Sequence, residues 1–279
     1  MMAPRLFSYL KQSFPRIFGL VRDTFFLTFA LFCKLSHQRE IVVLTYHSID
    51  YQGDSFTVDP EEFRRQIDYI RKNYAIVSLT EIVDFVKQKK ELPRKSVAIT
   101  FDDGSEDLFL NVYPYFCKNN LQATVFVTTG YVGKTWPFSS NHPKMLNWKQ
   151  IEEISRNKFE IGAHTVSHPN LKEIDLEEAK NEILNSKKEI EEHVGKNVDF
   201  ISYPFGKHTP EIIGLVQSLG FKGGVGRGGT VRKDGQTYLL NRVQVDRSVC
   251  LTTFKARLTK AVDFFIAIEQ TAMKSCART

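Results

Sequence analysis

Apolar and polar positions switch period repeatedly along this chain. Ile41-Val42-Val43-Leu44-Thr45-Tyr46 is short, apolar and β-branched, the pattern of a buried strand. A helix follows: Asp59 is its cap, Pro60 takes the first helical position, and Phe63, Ile67 and Ile70 recur at helical spacing. Ala75-Ile76-Val77-Ser78 predicts a second strand, and Thr80 caps a helix carrying Ile82, Val83 and Val86. Ser96 to Phe101 predicts a third strand, then a helix over about 106–119, then a strand from Ala123 to Val127. The stretch 130–147 reads as loop, with Gly130, Gly133, Pro137 and Pro143. Beyond it come a helix from Trp148, a strand Phe159 to Ala163, a long helix over about 175–194, and a strand Val198 to Tyr203 ending in Pro204. A helix from about Pro210, strands near 221–225 and 238–245, and a last helix over about 251–270 complete the series. That last helix puts Phe254, Leu258, Ala261, Phe265 and Ile268 on one face.

Strand–helix alternation implies a parallel sheet. Seven or eight strands with no linker or repeat inside 41–270 predict one α/β domain, a (β/α) barrel, with residues 271–279 as a C-terminal tail. The length of 279 residues suits such a barrel, and 42% hydrophobic with 25% charged residues is the composition of a soluble globular protein. Cys33, Cys117, Cys250 and Cys276 are widely spaced, form no CxxC pair and read mainly as free thiols.

Residues 1–40 differ from the rest. Arg5, Lys11, Arg16 and Arg22 precede the apolar run from Phe25 to Cys33, which is about half the ~20 residues of a membrane-spanning helix. Three readings stand: an interfacial anchor, a weak signal-anchor, or a helix packed on the domain. Basic residues beside bulky apolar ones favour the interface, so residues 1–36 are the candidate for peripheral membrane contact, and a membrane-associated or extracytoplasmic envelope location is favoured over the cytoplasm. The net charge of +6 is modest, and no basic patch interleaved with aromatics suggests nucleic-acid binding.

The chemistry concentrates in two motifs: Thr100-Phe101-Asp102-Asp103-Gly104, and, 60 residues after that glycine, His164-Thr165-Val166-Ser167-His168. Two imidazoles and one carboxylate are a common ligand set for a catalytic divalent metal, with positions left for water and substrate. The second carboxylate is then free to act as a base, which points to metal-assisted hydrolysis. His47, Asp102, Asp103, His164 and Tyr203-Pro204 all fall where strands end, the catalytic face of a barrel. Tyr203-Pro204-Phe205-Gly206 makes a rigid turn that can wall a groove and present a backbone N–H to an oxyanion. Arg242 and Asp246 sit at the end of the last strand, where an arginine could hold a carboxylate ionised. His208 lies near Gly206, and His37, His142 and His193 have no evident role.

These motifs resemble those of polysaccharide deacetylases, the NodB-homology or family 4 carbohydrate esterases. The resemblance covers about residues 41–247. It implies a distorted (β/α) barrel, a divalent metal (Zn2+, with Co2+ or Ni2+ as alternatives), and removal of N-acetyl, sometimes O-acetyl, groups from a glycan or lipid-linked saccharide. Carried over, Asp103, His164 and His168 would bind the metal and Asp102 would be the general base. The chain departs from the common pattern: Ser202 replaces an arginine, Phe205 replaces a tyrosine, and no histidine follows His208 to supply the late Leu-x-His motif. It looks more like the circularly permuted poly-N-acetylglucosamine deacetylases, whose acid histidine follows the first strand. Leu44-Thr45-Tyr46-His47 matches that motif, making His47 the candidate acid. Tyr203, Pro204 and Phe205 match the subgroup's third motif, and Arg242 is the candidate for the displaced arginine.

Overall fold

The computed structural model describes residues 39–139, 141–231, 235–264 and 266, together with Thr24 and Thr28. Nearly all of the candidate anchor, the end of the last helix and the 271–279 tail therefore lie outside the described residues. Among the described residues no helix is long and apolar enough to cross a membrane.

The strands are β1 (Glu40–Tyr46), β2 (Ser48–Ile49), β3 (Thr57–Val58), β4 (Ala75–Ile76), β5 (Lys95–Phe101), β6 (Ala123–Val127), β7 (Phe159–Ala163), β8 (Phe200–Ser202), β9 (Gly223–Val225) and β10 (Val243–Gln244). The helices are α1 (Pro60–Asn73), α2 (Leu79–Val86), α3 (Tyr113–Lys118), α4 (Trp148–Ser155), α5 (Leu176–Val194), α6 (Pro210–Ser218) and α7 (Leu251–Arg257). All pairings within the main sheet are parallel, in the order β10-β1-β5-β6-β7-β8-β9, with β4 against the start of β5. The ring closes through the segment before β10, where Val225 bridges Leu240 and Leu240 N–H donates to Gly224. A small two-stranded sheet, β2 with β3, sits apart. The architecture is the expected α/β barrel, distorted because β5 leaves β4 to pair with β6 only at its last two residues.

The strand period decides what faces where. Val42, Leu44, Val97, Ile99, Val125, Ile161 and Ile201 belong to the core shared with the outer helices. Their neighbours Ile41, Val43, Ala98, Phe126 and Phe200 belong to a second core, which α2 joins through Leu79, Ile82 and Phe85. Because side chains alternate along a strand, the inner series continues through Thr45 and His47, Thr100 and Asp102, and Ser202, so one period delivers the polar residues to one end. Gly162 of β7 belongs to that inner face: a Cβ there would lie 2.5 Å from the Phe126 ring, so glycine lets the two strands carry a phenylalanine between them.

Several boundaries differ from expectation. Ser78, not Thr80, caps α2, in a reciprocal capping box with Glu81. The helix expected over 106–119 is a π-turn at Leu108–Val112 followed by α3. The strand expected over 238–245 is only β10 plus the bridge at Leu240, and the last helix breaks after α7, where Thr259 Oγ1 accepts from Ala261 N–H. Phe265 and Ile268 lie outside the residues whose side chains are described.

Candidate active site

Asp102 and Asp103 follow β5, His164 follows β7, and His168 closes the loop after it. Donor atoms of Asp103, His164 and His168 all lie within 4.8 Å of one another. His164 Nε2 is 3.4 Å and His168 Nε2 3.6 Å from the same Asp103 oxygen. These separations exceed a good hydrogen bond of about 2.9 Å and suit ligands around a shared cation about 2 Å from each. His164 Nδ1 lies 2.7 Å from the Ser202 carbonyl; donating there leaves Nε2 as the free lone pair, the tautomer a metal ligand needs. An oxygen and two imidazole nitrogens converging in this way fit a divalent metal.

Asp102 has a different environment. Arg242 Nη1 and Nη2 donate to its two oxygens at 2.6 Å each, and Ser202 Oγ donates to Oδ2 at 3.1 Å. Arg242 is itself saturated: Nη1 reaches Thr100 Oγ1, Nη2 reaches Ser202 Oγ, and Nε donates to the Gly226 carbonyl. Both charged side chains are buried. Burial opposes ionisation of Asp102, but the forked guanidinium outweighs it and holds the carboxyl far below its usual range. Asp103 is also lowered, burial being overcome by the neighbouring imidazoles. Burial likewise acts to lower both imidazoles. For His164 the carboxylates of Asp103 and Asp102 outweigh it and the value rises. For His168 burial and the adjacent His164 prevail and bring it to about 4.

Arg242 does not sit at the end of a strand. It precedes β10, whose Val243 pairs with Leu44. Its long side chain climbs inside the barrel from that lower level to reach Thr100 and Asp102. Asp246 takes no part and accepts from Ser248 in a surface turn.

One cleft gathers His47, Asp102, Asp103, His164, His168, Tyr203, Phe205 and Arg242, about 940 Å³ of space counting the solvent at its mouth. His47 packs against Phe56, ring centroids 5.0 Å apart, and its Nδ1 is buried without a partner. Phe205 is half exposed, with its ring 4.6 Å from that of His168. Tyr203 is buried and spends its hydroxyl on the Tyr238 carbonyl, so it is a wall rather than a free donor. Pro204 is buried and is not among the cleft-lining residues, and neither is His208, whose Nδ1 faces the Gly206 carbonyl.

Backbone strain collects here. Of the seven described non-glycine residues with positive φ, four are Asp103, Thr165, His168 and Phe205. Such conformations cost of order 1–3 kcal/mol each and persist where the surroundings over-determine them.

A family model described as "Polysaccharide deacetylase" matches residues 89–224. The Bacillus subtilis (strain 168) protein named "Putative polysaccharide deacetylase YxkH" is 29% identical over 225 residues, 80% of this chain and 77% of that one. The poly-β-1,6-N-acetyl-D-glucosamine N-deacetylase of Staphylococcus aureus (strain MRSA252) is 27% identical over 180 residues, and the chain spans 61% of that relative's length. Over about half of its length the chain is similar to polysaccharide deacetylases. Solved structures share the fold: the Streptococcus pyogenes deacetylase PplD in complex with acetate has a TM-score of 0.69 at 24% identity, covering 78% of this chain and 97% of that one. IcaB from Ammonifex degensii has the same TM-score and identity, covering 79% and 98%.

Several residues around the cleft carry no sequence signature. Asp107 is buried and accepts from Ser48 Oγ, Ser105 Oγ and Ile49 N–H, tying the segment after His47 to the loop after Asp103. Ser139 Oγ donates to Asp54, joining two loops of the cleft mouth across 85 residues. Only the capping-like Ser-x-Asp at 105–107 hints at the first, and nothing in the sequence hints at the second.

Proposed function

We propose that the cleft is the active site of a metal-dependent N-deacetylase acting on N-acetylated amino sugars of a glycan. One observation carries this reading: Asp103, His164 and His168 converge beside a carboxylate, Asp102, that a buried arginine keeps ionised. The staphylococcal relatives are named for poly-β-1,6-N-acetyl-D-glucosamine, which supports an N-acetylglucosamine polymer as substrate. A polymer substrate and the basic–apolar N-terminal segment together favour the cell envelope, with residues 1–36 at the membrane surface and residues 41–270 as the catalytic unit.

Asp103, His164 and His168 would hold the ion. When bound there, a divalent ion such as Zn2+ supplies Lewis acidity to water and to the acetamide carbonyl. Asp102, ionised and fixed by the Arg242 fork, takes the proton of the attacking water. His47, with Nδ1 sealed from solvent, has Nε2 left to donate a proton to the leaving amine. Phe205 and Tyr203 wall the groove, and the turn at Phe205 is the candidate to present a backbone N–H to the developing oxyanion. Acetate and a free amino sugar result.

Acetate release from N-acetylglucosamine oligomers by the purified full chain tests this directly, before and after chelation and with zinc, cobalt or nickel restored. Release that disappears on chelation and returns with metal is expected. Release indifferent to chelation would sink the metal role. Release only from O-acetyl esters would move the reading to an esterase on the same fold.

A further inference from the structure

The loop from His164 to His168 must hold two ligands in one place while two of its residues, Thr165 and His168, stand in the left-handed region at φ 66° and 61°. Neither is a glycine, so the loop's own preferences do not produce this shape. It is held from two sides. On one side, Thr129 and Gly130 N–H donate to the Thr165 and Val166 carbonyls at 3.2 and 2.8 Å. The approach is so close that a Cβ on Gly130 would lie 2.5 Å from the Val166 oxygen. On the other side, the carboxylate of Glu182, from the first half of α5, accepts three hydrogen bonds: Val166 N–H at 2.8 Å, Ser167 N–H at 2.8 Å and Ser167 Oγ at 2.7 Å. Two consecutive backbone N–H groups converging on one carboxylate oxygen form an anion-holding nest, filled here by a side chain of the same chain.

We propose that Glu182 is a positioning residue for the metal site: it clamps the loop crest so that His164 and His168 meet Asp103 before any ion arrives. The proposal rests on the reading of those three residues as metal ligands. Its hydrogen bonds go to Val166 and Ser167, which lie between the two histidines, so its effect on the ligands passes through the loop. The neighbouring Ala179 and Ile183 are buried and anchor α5 independently of this carboxylate, so the helix has its own reason to stay in place when the clamp is removed.

The test is metal affinity of the full chain, measured by competition against a chromogenic chelator with Zn2+ or Co2+, alongside the thermal midpoint of the metal-free protein. Outer partners of metal ligands typically tune affinity by about 10–100-fold. Glu182→Ala is expected to weaken affinity by about that factor while the metal-free midpoint changes little. Glu182→Gln, which keeps an acceptor oxygen for the two N–H groups, should recover most of it. A wild-type affinity in Glu182→Ala would overturn the proposal, and so would a lowered metal-free midpoint with affinity intact, the signature of a merely structural role. Should Glu182→Ala fail to fold, Glu182→Asp withdraws the carboxylate by one methylene, and unchanged affinity there would count equally against the clamp. Wild type and His164→Ala serve as controls: if wild type itself binds no ion, the metal reading fails rather than the clamp alone.

Discussion

The two ends of β7 carry the same kind of group under opposite conditions. Past its carboxyl end lie His164 and, two strands away after β5, Asp102, a buried carboxylate with a buried arginine at 2.6 Å. Near its amino end lies Glu160, also largely buried, whose hydrogen-bond partner among the described residues is the Thr124 hydroxyl at 3.3 Å. The cation nearby, Lys222, is more than half exposed and already pairs with Asp199 at 2.6 Å. The outcomes diverge accordingly. Asp102 is held far below the usual carboxylate range despite burial, whereas burial and then repulsion by Asp199 push Glu160 up to about 7. Burial alone does not set the charge of a carboxylate; the presence of an equally buried, geometrically matched cation does. Asp102 has that cation; among the described residues Glu160 does not.

The largest effect expected from breaking this contrast is at Asp102 itself. Asp102→Asn keeps the shape but loses the proton acceptor, and general-base loss costs about 10²–10⁴ in rate. Turnover should fall by that order while bound metal, measured by elemental analysis, stays at the wild-type level. Near-wild-type turnover would remove Asp102 from the role of base.

Making Asp102 resemble Glu160 comes next. Arg242→Met leaves a buried carboxylate without its cation, a change that costs roughly 3–5 kcal/mol when one partner of a buried pair is removed. Denaturant unfolding should show that loss, and the pH at which activity rises should move upward, because burial is then unopposed. Arg242→Lys should recover only part, since a point charge cannot fork across both oxygens. If both variants unfold like wild type, the pair is not what keeps Asp102 charged.

At the other end the sign reverses. Glu160 has a folded value, about 7, above its unfolded one, so the native state binds the extra proton between them. Stability from this group is therefore full below the unfolded value, near 4.5, and declines as pH rises to about 7, by at most roughly 3 kcal/mol and less for the share that solvent screens. Glu160→Gln should remove this part of the decline between pH 5 and 7.5 in urea unfolding. A slope unchanged by the substitution would mean that Glu160 titrates near its ordinary value.

How much of this contrast can be read in the sequence depends on how locally it is encoded. Asp102, Asp103 and His164 are legible because they stand at strand ends, and His168 because it lies four residues from His164 in a loop that begins there. His47 is legible for the first of these reasons. Arg242 is a candidate through the resemblance and an expected place at a strand end, but its actual placement before β10 and its climb through the barrel depend on the register with β1. Glu182 and Asp107 act across 15 and 58 residues, through contacts that no spacing rule announces. The charge state of Glu160 is invisible too: in Phe159-Glu160-Ile161-Gly162-Ala163 it looks like a neighbour of a motif, and it differs from Asp102 in that no described residue gives it a buried cation. The helix boundaries missed at Thr80 and after Arg257 share a local cause, since serine and threonine hydroxyls compete for the caps there.

Ser202 offers the smallest and most pointed test of the comparison. It stands where relatives of the common pattern are expected to carry an arginine, yet its hydroxyl joins the ion pair as an accessory, donating to Asp102 and accepting from Arg242 Nη2 at 2.9 Å. Asp102 keeps both charge-assisted bonds without it, and Arg242 keeps Thr100, Gly226 and Asp102. Ser202→Ala should therefore cost only about 1 kcal/mol, the net worth of one hydrogen bond, and leave turnover within several-fold of wild type. Ser202→Arg should be far worse than Ser202→Ala, because Arg242 Nη2 already lies against this position and a second buried guanidinium would have no carboxylate of its own. If Ser202→Arg instead rescued Arg242→Met, the arginine would be interchangeable between β8 and the segment before β10. What the site requires would then be one buried fork on Asp102, whichever strand supplies it.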